Sequence, residues 1–150
     1  MTDRTGHCLC GAVRFTATDA GDGFGVCHCK MCQRWTGFAL AGIMVRPEQL
    51  SISGAEHIGR WRSSDVGERQ FCSRCGASLF FVDLKPDGTP DWYEIMLGLL
   101  DQTSGLTLQS EIFTDRRVDG WTIAGNHQRY TEAEWFARKD VIPTPTETGQ

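Results

Sequence analysis

Short apolar segments alternate with glycine-bearing turns along most of the chain, which is the pattern of β-strands. Six segments match this pattern and are predicted strands: residues 13–17, 38–45, 57–62, 78–82, 93–98 and 111–114. Helix is predicted only at residues 47–50, where proline suits a first turn, and at residues 131–138, where Thr131 and Glu134 have capping-box spacing. The pattern therefore predicts a mainly β fold with little helix.

Two segments are predicted to lie outside the strands. Residues 83–90 combine prolines with an Asp-Gly pair, the chemistry of a surface loop between two strands. Residues 141–150 offer almost nothing to bury, so ordering them would cost more conformational entropy than packing returns. We therefore predict a single domain over residues 1–140 and a flexible tail over residues 141–150.

Composition excludes several classes of protein. The 150 residues are 40% hydrophobic and 23% charged, which suits one globular domain and excludes a disordered chain. The 15 lysines and arginines against 19 acidic residues give a net charge of -4, so nucleic acid is not an expected partner. No apolar stretch approaches the roughly 20 residues of a membrane-spanning helix, and no export signal is visible. We therefore expect a cytoplasmic protein that does not bind membranes.

The seven cysteines fall into three clusters, and none stands alone: Cys8 and Cys10, then Cys27, Cys29 and Cys32, then Cys72 and Cys75. In a reducing compartment this pattern favours metal ligation over disulfide bonds. A C-x-C or C-x-x-C turn can direct two sulfurs at one metal ion about 2.3 Å away. Gly11 and Gly76 follow two of the clusters and permit the tight backbone of a metal-binding knuckle.

The cysteines can be divided between metal ions in two ways. Structural zinc sites use four protein ligands and catalytic sites three, so one division gives the local triplet Cys27, Cys29 and Cys32 its own metal and closes a second site with the two remaining pairs. The other division joins Cys29 and Cys32 with Cys72 and Cys75 as a zinc ribbon. Its 39 intervening residues exceed the usual spacing of about 15 to 20. Spacing therefore favours the division into four and three.

Three motifs follow one another along the chain. Residues 6–15 read G-x-C-x-C-G-x-V-x-F, residues 27–32 read C-H-C-x-x-C, and residues 71–79 read F-C-x-x-C-G-x-x-L. Their sequence, order and separation resemble the glutathione-dependent formaldehyde-activating enzyme family, whose domain is shared with centromere protein V. A later family segment is similar to residues 111–113 with Trp121, so the resemblance spans residues 6–122.

The resemblance implies a fold, two metal sites and a reaction. The fold is a small β-sheet domain of Mss4-like type with two zinc ions per chain. The first and third motifs would bind a structural zinc through Cys8, Cys10, Cys72 and Cys75. The middle motif would bind a catalytic zinc through Cys27, Cys29 and Cys32. The family reaction adds glutathione to formaldehyde to give S-hydroxymethylglutathione, formally a carbon-sulfur lyase reaction in reverse.

The chemistry of a three-cysteine zinc site fits this reaction better than it fits hydrolysis. Three thiolates outweigh the charge of Zn²⁺, so bound water should be less acidic than on a neutral set of ligands. A thiol of pKa about 8.5 that coordinates zinc is deprotonated. We therefore expect zinc to bind glutathione as its thiolate, which then attacks formaldehyde.

Other residues near the triplet are weaker candidates and stay outside the predicted catalytic set: His28, Lys30, Arg34, Trp35, Phe38 and Glu111. His28 lies between two ligands and should point away from their sulfurs. Lys30 and Arg34 could bind a glutathione carboxylate, although such residues are more often plain surface charge. Trp35 and Phe38 could line a pocket, although aromatic residues beside a cysteine knuckle are more often core.

Two alternative functions remain open from the sequence. One is a zinc-stabilised protein-binding module without catalysis, against which the spare cysteine triplet argues. The other is a thiol redox enzyme, because C-x-x-C pairs also serve disulfide exchange. Zinc content under reducing conditions would separate them, since occupied thiolates are poor redox centres.

Overall fold

The computed structural model describes residues 2–138, which form two β-sheets with short helices, so the mainly β prediction is confirmed. The strands are β1 (Arg4–His7), β2 (Arg14–Ala17), β3 (Gly23–Cys27), β4 (Leu40–Val45), β5 (Leu50–Ser53), β6 (Ile58–Arg62), β7 (Gly67–Cys72), β8 (Ser78–Leu84), β9 (Pro90–Met96), β10 (Thr107–Ile112) and β11 (Gln128–Tyr130). The α-helices are α1 (Lys30–Thr36) and α2 (Glu132–Ala137). Single 3-10 turns lie at Pro47–Gln49, Ala55–His57, Leu97–Leu99 and Thr114–Arg116.

The larger sheet has the strand order β11-β10-β3-β4-β9-β8-β7-β6. β10 runs parallel to β3 and β11, and the other neighbours in this sheet are antiparallel. The smaller sheet is antiparallel with the order β1-β2-β5. In this order β3 is an interior strand, with β10 on one side and β4 on the other.

The two faces of the larger sheet carry two separate apolar clusters. One face packs against the smaller sheet, where the rings of Phe15 and Phe80 meet edge to face with centroids 5.7 Å apart. The other face carries Phe81, Leu40 and Cys27, and Trp135 of α2 packs against it. Neighbouring residues of a strand point to opposite faces, which is why Phe80 and Phe81 belong to different clusters.

Each of the six predicted strands overlaps an observed one, and the predicted capping box is confirmed. The Thr131 hydroxyl accepts from the Glu134 N–H at 3.2 Å, and the Glu134 carboxylate accepts from the Thr131 N–H at 3.3 Å. The helix predicted at residues 47–50 is only a 3-10 turn, because Leu50 already begins β5. The sequence analysis did not predict β1, β3, β5, β7, β11 or α1.

The predicted loop at residues 83–90 is too long at both ends. Asp83 pairs with Trp92 and Leu84 with Pro90, so the β8–β9 hairpin consumes the outer residues and leaves 85–89 as the turn. The predicted tail at residues 141–150 lies outside the described residues. Within residues 2–138 there is no helix long and apolar enough to cross a membrane.

Candidate metal centres

The first cysteine cluster joins two hairpin turns and contains Cys8, Cys10, Cys72 and Cys75. The two turns are built alike: the N–H of Gly11 donates to the carbonyl of Cys8 at 3.1 Å, and the N–H of Gly76 donates to the carbonyl of Cys72 at 2.8 Å. The φ angles of the two glycines are 79° and 78°, which residues with a side chain rarely adopt. The prediction that these glycines permit a tight backbone turn is confirmed.

The sulfurs of this cluster have the spacing of a tetrahedral zinc site. Zinc-sulfur bonds of 2.3 Å place neighbouring sulfurs about 3.8 Å apart. The Cys8 and Cys10 sulfurs are 3.6 Å apart, and the Cys10 and Cys72 sulfurs are 3.9 Å apart. A hydrogen bond from the Ala77 N–H, followed by one from the Cys10 N–H, lowers the pKa of Cys75 to about 6. The donor set therefore fits a zinc ion with four protein ligands.

The second cluster lies where β3 ends and α1 begins, and it contains Cys27, Cys29 and Cys32. The Cys29 sulfur caps α1 by accepting from the Cys32 N–H at 3.3 Å, and the Cys27 sulfur accepts from the Cys29 N–H at 3.5 Å. The three sulfurs lie within 4.8 Å of one another, and all three residues are buried. Local backbone geometry alone therefore brings these sulfurs together.

Three thiolates at this cluster would need a cation to balance their charge. The adjoining Cys29 and Cys32 sulfurs, and then burial, raise the pKa of Cys27 well above 9.0. Arg69 supplies one positive charge, with Nη1 3.7 Å from the Cys32 sulfur. Three thiolates in a buried site need more than that, and soft sulfur ligands suit zinc. The donor set thus fits a zinc ion with three protein ligands.

The structure groups the seven cysteines as four and three. Cys29 and Cys32 belong to one cluster, and Cys72 and Cys75 belong to the other. The zinc-ribbon alternative would require these two pairs to share a metal, so it does not match the arrangement of the sulfurs.

A cavity of about 110 Å³ opens beside the second cluster. Its lining includes Cys27 and Cys32, the carboxyl-bearing residues Asp83 and Glu94, and apolar side chains of which the largest are Met44, Phe81, Ile112, Phe113, Trp135 and Phe136. Gly25 of β3 and Gly42 of β4 are paired on neighbouring strands, and neither has a side chain to cover the sheet there. A Cβ atom on Gly42 would lie 2.6 Å from Cγ of Glu94, so the Glu94 side chain lies across Gly42.

Two carboxyl groups in this cavity hold their protons unusually tightly. Burial, and then the charge of Asp91, raise the pKa of Asp83 to about 7. Burial, and then the charge of Asp83, raise the pKa of Glu94 to about 8. Glu94 is therefore mostly protonated at pH 7, whereas Asp83 is about half protonated.

A buried hydrogen-bond network stands behind the triplet. Nε2 of His28 lies 2.7 Å from one Glu111 oxygen, while Nε2 of His127 and Nε of Arg129 contact the other. Burial would raise the pKa of Glu111, yet the hydrogen bonds from His127 and His28 lower it below 4.5. The ring of Trp121 packs on His28 with centroids 5.4 Å apart. The network fixes His28 and so the backbone between two cysteines.

The other sequence candidates lie outside the cavity wall. Lys30 donates to the Gln33 side chain at 3.3 Å, and Arg34 is exposed. Trp35 packs against the triplet and under Arg69, and Phe38 stacks on Trp121 with centroids 4.4 Å apart.

Sequence reasoning missed Arg69, Asp83, Glu94 and His127. A charge at position 94 inside an apolar predicted strand was the signal that could have pointed to Glu94. Asp83 was assigned to the predicted surface loop and so was not considered as a site residue. Nothing in the sequence around Arg69 or His127 marks either of them as a site residue.

Comparison with known proteins identifies the family of this chain. Residues 3–116 match the family model for the glutathione-dependent formaldehyde-activating enzyme, and that span contains all seven cysteines. The chain belongs to this family. The resemblance found in the three motifs is confirmed, and so is the expectation of a lyase-type enzyme.

Individual relatives support the same grouping. A Schizosaccharomyces pombe protein named as an uncharacterized lyase is 26% identical over 134 residues, which cover 89% of this chain and 95% of that protein. A Halomonas elongata protein, whose name assigns it provisionally to the glutathione-dependent formaldehyde-activating enzymes, is 32% identical over 99 residues, covering 61% of this chain and 59% of that protein. A crystal structure of a Rhodobacter sphaeroides protein has a TM-score of 0.51 at 24% identity, covering 65% of this chain and 87% of that one. This last likeness concerns the fold.

Proposed function

We propose that the protein adds the thiol of glutathione to formaldehyde and forms S-hydroxymethylglutathione, a carbon-sulfur lyase reaction in reverse. The observation that carries the proposal is the separation of seven cysteines into a cluster of four and a cluster of three beside a cavity. A metal with only three protein ligands keeps a position for substrate. Membership of the family supports these two substrates.

Two zinc ions per chain belong to the proposal. The structural ion would be held by Cys8, Cys10, Cys72 and Cys75, and the catalytic ion by Cys27, Cys29 and Cys32. Zinc bound by the three buried sulfurs would supply a coordination position at which the glutathione thiol loses its proton.

The residues of the chain hold and shield the reactants. Cys27 and Cys32 line the cavity, so a thiol at the cluster and an aldehyde in the cavity are neighbours. Most of the side chains around the cavity are apolar, which suits a small aldehyde. Arg69 offsets part of the negative charge of the sulfurs from 3.7 Å away. The protein's main contribution is to hold two small reactants together in one orientation.

Metal content and reaction rate test the proposal together. Native mass spectrometry should show two zinc ions per chain. The loaded protein should accelerate exchange between glutathione and its hydroxymethyl adduct in NMR exchange spectra beyond the spontaneous rate. Cys29→Ser should retain one zinc ion, fold, and lose the acceleration. A single zinc ion in the unaltered protein, or full acceleration in Cys29→Ser, would contradict the proposal.

Cobalt substitution tests the role of the glutathione sulfur. The sulfur-to-metal charge-transfer absorption should change when glutathione is added. The matched control ligand is S-methylglutathione, which cannot form a thiolate and should leave the band nearly unchanged. Equal responses to the two ligands would show that the glutathione sulfur does not reach the metal as thiolate.

The location and extent of the enzyme are part of the same proposal. We place the reaction in the cytoplasm, where thiols stay reduced, and assign it to one domain over residues 1–140. The family match over residues 3–116 supports this extent. A chain ending at Asp140 should keep its zinc and its activity, and loss of either would contradict the domain boundary.

A further inference from the structure

The addition of a thiolate to an aldehyde leaves a negative charge on the aldehyde oxygen, which must receive a proton. A side chain can supply it when its acid form is populated and lies within reach of the oxygen. The cavity beside the triplet contains two carboxyl groups, those of Asp83 and Glu94, among mainly apolar walls. Asp83 is buried and Glu94 is half-buried, and carboxyl groups with raised pKa values among apolar walls are candidates for a function.

The sheet places Glu94 closer to the triplet than Asp83. Glu94 lies on β9, two strands from the β3 residue Cys27, whereas Asp83 lies on β8, one strand farther away. Strands are spaced about 4.8 Å apart, so the difference is substantial. The Glu94 side chain also extends across Gly42 on β4, where any Cβ atom would collide with it. Gly42 faces Gly25, which stands two residues before Cys27 on the same face of the sheet.

We propose that Glu94 is a catalytic residue that donates a proton to the aldehyde oxygen as the carbon-sulfur bond forms. The inference rests on the proposed function. The sulfur lone pair forms the new bond to carbon, and the carbonyl π pair moves to oxygen. That oxygen takes the proton of the Glu94 carboxyl group, which leaves a carboxylate. The proton given up by the glutathione thiol restores the acid, so no oxidant or further reactant is needed.

The surroundings of Glu94 support this role. Burial and the charge of Asp83 raise the pKa of Glu94 to about 8, while Arg69 acts in the opposite direction and the Cys29 sulfur adds to the increase. The acid form is therefore the main form at pH 7. Most of the side chains around the cavity are apolar, so few other proton donors line it.

The test compares zinc-loaded Glu94→Gln with the unaltered protein by NMR exchange spectroscopy of glutathione and its hydroxymethyl adduct. Glutamine keeps the shape of the side chain and removes the proton. General acid catalysis contributes roughly 10² to 10⁴-fold, so the acceleration should fall by about that factor. The cobalt spectrum of the variant should still respond to glutathione, and KM for glutathione should stay constant while kcat falls. Glu56→Gln, the same change at an exposed position, is the matched control.

The outcomes separate this inference from the proposed function. No acceleration by the unaltered protein overturns both. Full acceleration by Glu94→Gln, or a loss seen with Asp83→Asn instead, overturns only the role of Glu94. If Glu94→Gln loses zinc, the test uses Glu94→Asp instead. Aspartate keeps the carboxyl group but holds it one methylene group farther from the cavity. A lower kcat with unchanged glutathione binding in that variant supports the inference, and an unchanged kcat overturns it.

Discussion

The two cysteine clusters differ in how the chain assembles them. The four-cysteine cluster joins the β1–β2 hairpin of the smaller sheet to the β7–β8 hairpin of the larger one, and Cys10 and Cys72 are 62 positions apart in the chain. Cys8 and Cys72 are wholly buried in the core between the sheets. The three-cysteine cluster comes from one short segment, lies on the other face of the larger sheet and lines a cavity.

Because of this difference, we expect the four-cysteine cluster to contribute mainly to stability and the three-cysteine cluster mainly to the reaction. A metal that closes a long loop and ties two sheets together contributes binding free energy to folding. A cluster formed by consecutive turns of one segment constrains little beyond that segment. Its buried but incomplete ligand set is the better place for a substrate.

The largest expected effect distinguishes the two clusters by folding. Cys72→Ser should remove a ligand that ties the sheets together, and losing a structural zinc ion costs on the order of 10 kcal/mol of coupled folding free energy. Cys29→Ser should leave the fold intact. Circular dichroism and thermal melting of the two variants measure the contrast.

The matched control is Ser73→Ala, a change in the same knuckle that removes a hydroxyl bonded to the carbonyl of His57 at 2.9 Å but no sulfur. It should melt close to the unaltered protein. Equal damage from Cys72→Ser and Cys29→Ser would contradict the division into a structural and a catalytic cluster.

A second prediction concerns how the free energy of unfolding depends on pH through Asp83, which lies on the cavity side of the larger sheet. The pKa of Asp83 is about 7 in the folded protein against 3.8 as the usual value, so the folded state binds the proton more tightly. Stability should therefore be highest below pH 3.8 for this group and fall as pH rises through 7, by about 4 kcal/mol at 1.36 kcal/mol per pKa unit. Asp83→Asn should make this decline shallower, and the part that remains should come from Glu94, whose pKa is also raised, to about 8. Denaturant unfolding at a series of pH values measures it.

Asp119→Asn, at an exposed position, serves as the control and should leave the pH dependence unchanged. If the stability of Asp83→Asn falls with pH as steeply as that of the unaltered protein, the buried Asp83 is not the source of the decline.

The sequence showed which cysteines lie close together within each motif, because that proximity is local. The C-x-C and C-x-x-C spacings and the glycines at 11 and 76 each act within one turn, so the three motifs could be read before the sheets were known. Which of the separate pairs come together was harder to predict, since only the pairing of distant strands brings Cys8 beside Cys72.

The cavity could not be predicted from the sequence for the same reason. Glu94 and Asp83 reach it because β9 pairs with both β4 and β8. Gly25 and Gly42 become neighbours only through the register of β3 and β4. Strand register is set by long-range pairing, which no short window records. The Asp-Gly turn was correctly predicted, but the ends of the predicted loop at residues 83–90 belong to the paired strands β8 and β9.

The smallest expected effect tests whether the buried network supports only the triplet. Glu111→Gln keeps the shape of the side chain but removes the negative charge shared by His28 and His127. Partners that orient a ligand set usually contribute roughly 10 to 100-fold in metal affinity. Chelator competition should therefore release one zinc ion about that much more readily and leave the four-cysteine ion unaffected, because no contact links Glu111 to that cluster among the described residues. Glu132→Gln, at a surface pair with Arg116, is the control and should change neither release. If Glu111→Gln weakens both ions equally, the two clusters are coupled through the sheet, and their separation into a stabilising and a reactive centre is wrong.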